Sequence, residues 1–243
     1  MKAKEARQLG REIKSQLDAE NIEAAYSLIE TILLKKTPFR ILDLVAEEIA
    51  KGENPNLSEF LEKVASEAYI GSWTIIGGIL GNNLAEDLFG SLNQAKEYII
   101  RADVWHACDT IGERVLGPAM VSHFPATLEL LRTWRKDPNP WPRRALGVGV
   151  HVWAKRSRGE ATLTERASKL LDFLQPLFIE ASMDAVKGVA WGLKSLGRYY
   201  PELLSEWLLI QVPKGGYRRT MLTKAITYFP EKSKRKILKL ANQ

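Results

Sequence analysis

The sequence predicts an all-α chain, an α-solenoid of HEAT-like helical repeats with a concave, basic face. Three observations carry this. Apolar residues recur at three- and four-residue spacing along nearly all of the 243 residues, and strict alternation is scarce. Tyr69, Trp105 and Trp141 stand 36 residues apart, and each opens a predicted helix. Weaker copies of that opening start near Asp184 (DAVKGVAWGL) and Gly216 (GYRRTMLTKAI). Paired helices at a period of ~35–45 residues are the mark of such solenoids. The repeat aligns Ser72, Cys108, Arg144, Lys187 and Arg219 in one register, a column that turns basic toward the C-terminus.

The elements follow in order. Residues 2–17 form a charged amphipathic helix with Ala6, Leu9, Ile13 and Leu17 on one side. Asn21 caps a helix through Leu34, and Pro38 suits the first turn of the next, running to about Lys51. GENPN (52–56) is a loop. Helices are then expected over Leu57–Tyr69, Glu67–Leu80, Leu84–Ser91 and Asn93–Arg101, and from Trp105 to Gly117-Pro118. The second half continues with Pro125–Arg135, the turn DPNP (137–140), Trp141–Lys155, Thr162–Phe173, Met183–Tyr200, Glu202–Ile210, Arg218–Phe229 and a basic terminal helix, Glu231–Asn242. The whole, residues 1–243, reads as a single repeat domain, with more acidic repeats over about 1–100 and basic ones over about 101–243.

Charge divides the chain. The first 120 residues carry 13 Lys+Arg against 19 Asp+Glu; the rest carry 22 against 10, a net +12. A basic half joined to an acidic half points to a polyanion met by the C-terminal repeats. No apolar run of ~18 residues predicts a membrane span. The N-terminus lacks the apolar stretch of a secretory signal. One cysteine, Cys108, allows no internal disulfide and reads as a small buried residue. A cytoplasmic location is expected.

The chemistry concentrates between Ala102 and Ala145. Trp105 and Asp109 are four apart on one helix face. Trp141, Arg143 and Arg144 follow a proline-rich turn one repeat later. Asp109, among residues that read as buried, is either the packing partner of an arginine or an active-site acid. Trp105, Trp141, Trp153 and Trp191 lie near the basic half's face, where aromatics among cations stack on bases or sugars. Trp73, Trp134, Trp153 and Trp207 suit the core, so Trp153 answers to both descriptions. His106, His123 and His151 lack metal-binding spacing, and there is no Walker A, GxGxxG or GxSxG context. No metal or cofactor is expected.

Three segments then resemble, in order, those of the AlkD-like family of alkylpurine DNA glycosylases, which are built from HEAT-like repeats. VWHACDTIG resembles its Trp-x-x-x-Asp segment, at Trp105 and Asp109. DPNPWPRRALGV resembles the segment whose arginine falls at Arg144. AVKGVAWGLKSLGRYYP resembles the segment whose tryptophan falls at Trp191. The resemblance spans roughly residues 25–230. The chain departs at Val104, where the family has an aromatic, at Pro142 and Arg143, and at Gly188 in place of alanine. KTPFRILDLVAEEI echoes the family's Thr-Pro segment faintly, and no N-terminal aromatic is placed.

The resemblance implies a base excision repair enzyme that removes cationic N3- and N7-alkylated purines of the 3-methyladenine and 7-methylguanine type from double-stranded DNA. Asp109, Trp105, Arg144 and Trp191 would be its catalytic set. Asp109 would stabilise the sugar cation and position water; the tryptophans would flank the sugar; Arg144 would hold the neighbouring phosphate. Arg143, Lys187, Lys194, Arg218 and Arg219 would bind the backbone without reading sequence. A monomer with no obligate protein partner is expected. Two other readings stand beside it: a non-catalytic HEAT-repeat DNA-binding protein, and a scaffold for a protein partner.

Overall fold

The apolar rhythm resolves into helices throughout a computed structural model, which describes residues 1–242 and contains no strand among them. The chain divides into two compact units, residues 1–115 and 116–243. That boundary falls close to where the charge changes sign.

The first unit holds α1 (Ala3–Asp18), α2 (Ile22–Leu33), α3 (Phe39–Ile49), α4 (Leu57–Ser66), α5 (Ile70–Asn82), α6 (Leu88–Ala102) and α7 (Trp105–Ile111). Helices α1, α3, α5 and α7 pack each on the next as one layer. Behind them α2 packs on α1 and α4, and α4 and α6 back α5. The amphipathic spacing of α1 buries Ala6, Gly10, Ile13 and Leu17. Asn21 caps α2 by accepting from the Ala24 amide at 3.1 Å. Core side chains such as Ile13, Leu42, Phe60 and Ile75 are fully or almost fully buried. Each contributes about 1.5–3 kcal/mol.

The second unit repeats the plan. A π-helical stretch, Gly112–Leu116, carries the chain out of the first unit into α8 (Gly117–Ser122) and α9 (Phe124–Leu130). Then come α10 (Pro140–Ser157), α11 (Thr164–Leu174), α12 (Met183–Tyr199), α13 (Pro201–Gln211), α14 (Arg219–Ala225) and α15 (Glu231–Ala241). Helices α8, α10, α12 and α14 form one layer; α11, α13 and α15 form the other. The α10–α12 crossing is backbone on backbone. A Cβ on Gly147 would strike the Gly188 carbonyl, and one on Gly192 would lie 2.7 Å from the Gly147 oxygen.

Several expected boundaries differ: α4 ends at Ser66 and not Tyr69, α14 ends at Ala225 and not Phe229, and the helix expected over 125–135 is α9 followed by a 3₁₀ stretch, Leu131–Lys136. The helices expected at 84–91 and 93–101 are a short 3₁₀ turn, Asn83–Ala85, followed by the single helix α6. Asp87 sets its start by accepting from the Gly90 amide at 2.8 Å. Asn93 and Gln94 do not interrupt it, because both are half-buried polar sites inside a continuous helical ladder. Gly117-Pro118 does not end a helix. Pro118 sits in the first turn of α8, where a missing amide hydrogen leaves nothing unsatisfied.

One buried acid ties α1 to α3. Glu48 is 3 % exposed. It accepts from Arg7 at 3.0 Å and Lys51 at 2.6 Å, with Arg11 at 3.7 Å. The Lys51 hydrogen bond holds its pKa below the ordinary glutamate value against the pull of burial, and Arg7 assists. A depressed carboxylate pKa stabilises the fold above the unfolded-state value of about 4.3, and that stability is lost as pH falls through the folded-state value. Glu48→Gln is expected to cost about 1.5–3 kcal/mol at pH 7, read as a lower urea midpoint. Its penalty should shrink below a pH of about 4, where the wild type loses the same charge.

Candidate nucleic-acid interface

In the first unit, Val104 is extended and Trp105 opens α7. Trp105 is 57 % exposed, its ring set edge-on to His106 with centroids 5.7 Å apart. Asp109, one turn later, is half-buried. Its neighbours Ala107, Cys108, Ile111 and Val115 are fully buried, as their spacing predicts. α7 thus anchors its apolar side in the core and carries a carboxylate and an exposed indole together on the other. That pairing suits a cationic ligand: a carboxylate for charge, an aromatic face for cation–π contact.

In the second unit, the side chain of Asn139 accepts from the Trp141 amide at 2.9 Å and starts α10. Trp141 is only 7 % exposed, so the indole expected near the surface belongs to the core. Arg144 is 6 % exposed; it donates to the Asp184 carbonyl at 3.1 Å and lies 6.0 Å from the Trp141 ring. It therefore links α10 to the start of α12. Arg143, expected at DNA phosphates, is engaged in the fold. It donates to both carboxylate oxygens of Glu180, at 2.6 and 3.3 Å, and to the turn carbonyls of Asp137 and Asn139. Burial raises the Glu180 pKa, but Arg143 and the Ser182 and Ala181 amides outweigh it and hold the carboxylate below its ordinary value.

The open cations are on α12 and α14. Lys187, Trp191, Lys194 and Arg198 follow at spacings of four, three and four, one stripe of α12. Lys187 and Arg198 are exposed; Trp191 and Lys194 are half-buried. Lys187, Trp191 and Lys194 line a cleft of about 310 Å³ with Thr220 and Lys224 from the α14 side. Tyr228 closes the stripe, with Lys194 at 5.4 Å and Arg198 at 5.2 Å from its ring. Arg218 and Arg219 are exposed at the start of α14, and Arg218 reaches the Ala181 carbonyl at 3.3 Å. Cations interleaved with aromatics are what a phosphate backbone with exposed sugars and bases requires.

His151 is the residue that sequence spacing does not single out. Its ring stacks on Trp191 at 4.1 Å and 25°, and its Nδ1 is 2.7 Å from the Ser195 hydroxyl. Burial, then Lys155 and Lys194, push its pKa down to about 4. The imidazole is neutral at pH 7 and adds no positive charge behind Trp191. A lone histidine carries no signal until α10 and α12 are seen to pack together.

The column aligned by the repeat is thus split. Ser72, Cys108 and Arg144 are buried, and Lys187 and Arg219 alone of the five are exposed. Among the described residues, no group of three His, Cys, Asp or Glu is arranged to hold a metal. No helix among them is long and apolar enough to cross a membrane.

Known proteins bear on this arrangement. A family model described as "DNA alkylation repair enzyme" matches residues 1–229. Among solved structures, the chain is similar to the Pseudomonas fluorescens alkylpurine DNA glycosylase AlkC bound to DNA containing an abasic site analog. The TM-score is 0.57 at 15 % identity, over 96 % of this chain and 66 % of the glycosylase. This chain therefore spans about two thirds of that protein's length, and at that identity the likeness is one of fold. No curated protein matches the chain.

Proposed function

The chain belongs to the DNA alkylation repair enzyme family, and from that premise we propose that it is a DNA glycosylase acting on cationic N3- and N7-alkylated purines in duplex DNA. The observation that carries this reading is the pairing, inside the matched residues, of Asp109 with an exposed Trp105 one turn away.

An N-alkylated purine already bears a positive charge and leaves without being protonated. The barrier that remains is the developing sugar cation and the delivery of water. Asp109 supplies negative charge to the first and a hydrogen-bond acceptor to the second. This is the carboxylate logic of glycoside hydrolysis with one acid instead of two. Trp105 offers its face to the cation. Trp191, held flat by His151, offers a second stacking surface. Arg144 acts by fixing the start of α12 rather than as a free phosphate ligand. Lys187, Lys194, Arg218 and Arg219, joined by Lys224, would bind the phosphate backbone.

The test is chemical. Duplex DNA carrying 7-methylguanine is incubated with the protein, and free base is measured by mass spectrometry. Release supports the reading; salt-dependent binding without release favours a non-catalytic DNA binder. The lysines that would meet the backbone have their own signature. Replacing Lys187, Lys194 and Lys224 by Gln is expected to reduce the slope of log K against log salt by roughly 0.9 for each phosphate no longer neutralised. An unchanged slope in a filter-binding titration would remove that stripe from the interface.

A further inference from the structure

The first unit holds an apolar pocket of about 670 Å³ that neither Asp109 nor the α12 stripe uses. Leu33 and Leu42, both buried, lie at its floor, and Gly71 keeps it open. A Cβ on Gly71 would come within 2.9 Å of Leu33 Cδ2 and 3.0 Å of Leu42 Cδ1. Phe39 and Tyr69 line it, with Lys35 and Lys36. Its size is that of a small-molecule site.

The pocket belongs to a row. Helices α3, α5 and α7 are successive neighbours in one layer, and the first residue of each is a large apolar side chain left in solvent. Phe39 is 44 %, Ile70 61 % and Trp105 57 % exposed. Of the three, Phe39 and Ile70 line the pocket itself, and Trp105 opens the next helix of the layer. Exposed apolar surface of that kind, rimmed by charge, marks an interaction site.

Phe39 is also held in place. The Arg114 guanidinium sits 5.6 Å from its ring, and Arg114 is fixed by two hydrogen bonds to Asp43 at 2.6 and 3.2 Å. The segment on this side of the pocket is basic within a half whose net charge is −6: it carries Lys35, Lys36 and Arg40, and the next acid along the chain, Asp43, is already paired with Arg114. An apolar slot takes a flat ring, and adjacent cations take an anion one sugar away. A nucleotide carries both, and the row ends at Trp105, which the proposed function already sets against DNA.

We propose that this pocket receives one unpaired nucleobase from bound DNA, stacked on Phe39, with its phosphate held by Lys35 and Lys36. The proposal rests on the reading of the chain as a DNA binder. Base-on-aromatic stacking is tolerant of sequence, so the pocket would sense that a base has left the helix and not which base it is.

The experiment uses the full chain and two duplexes of one sequence, fully paired or bearing a single bulged 2-aminopurine. Affinity is read by anisotropy and base stacking by 2-aminopurine fluorescence. The wild type is expected to bind the bulged duplex about tenfold more tightly and to quench its fluorescence. Phe39→Ser and Gly71→Leu should each abolish both effects while leaving affinity for the paired duplex unchanged. Phe39 is exposed, so Phe39→Ser decides the matter if Gly71→Leu fails to fold. A preference that survives in Phe39→Ser, or none in a wild type that binds paired DNA, overturns the proposal. A wild type that binds neither duplex overturns the DNA-binding reading itself, and this pocket's role with it.

Discussion

Asp109→Asn is expected to slow release of 7-methylguanine from duplex DNA by roughly 10²–10³-fold, with duplex affinity little changed. The two side chains have the same shape, so α7 should keep its packing through Ala107, Cys108 and Ile111, all fully buried. What would be lost is the carboxylate that the proposed function sets against a sugar that becomes cationic only in the transition state. An interaction made only there lowers the turnover rate, not ground-state binding. Single-turnover release and equilibrium binding, measured on the same duplex, separate the two. Equal release by both proteins would take Asp109 out of the chemistry. A variant with a markedly lower melting temperature would assign it to the fold.

The second large effect is on stability. Gly147→Ala is expected to cost about 3 kcal/mol and to lower the melting temperature by about 6–12 °C. Its Cβ meets the carbonyl of Gly188 and the Val189 amide nitrogen, which are backbone atoms and cannot rotate aside. The penalty outweighs the roughly 1 kcal/mol that alanine gains over glycine within a helix. Gly149→Ala is the control two residues on. There the new atom meets the Met120 thioether end at 3.0 Å, which can swing away, and Leu116 Cβ at 3.0 Å. Its melting temperature should fall much less. Similar losses at both sites would mean that α10 and α12 are less tightly crossed than this geometry requires.

Helices are readable in the sequence because their cause is local. Apolar spacing and Asn21 as a cap act within a few residues, and Asn21 marks a real helix start; the DPNP turn likewise falls where α10 begins, with Asn139 as its cap. The 36-residue period is readable too, and Tyr69, Trp105 and Trp141 do stand at the openings of α5, α7 and α10. Exposure is not. The same register leaves Trp105 in solvent and buries Trp141, because the neighbouring helix decides what is covered. Arg143 shows the same limit. Its basic character is local, but its partner Glu180 is 37 residues away. The His151–Trp191 stack and the Phe39 pocket likewise depend on which helices become neighbours.

Helix α15 buries a single side chain, Ile237, against its unit, while Lys232, Arg235, Lys236 and Lys239 remain in solvent. One apolar anchor is a weak hold for eleven residues. In a stack where each helix leans on its neighbours, a helix so lightly fastened opens before the interior does. Its amides should be among the first to exchange with deuterium, and limited proteolysis should cut within it while α10 and α12 stay protected.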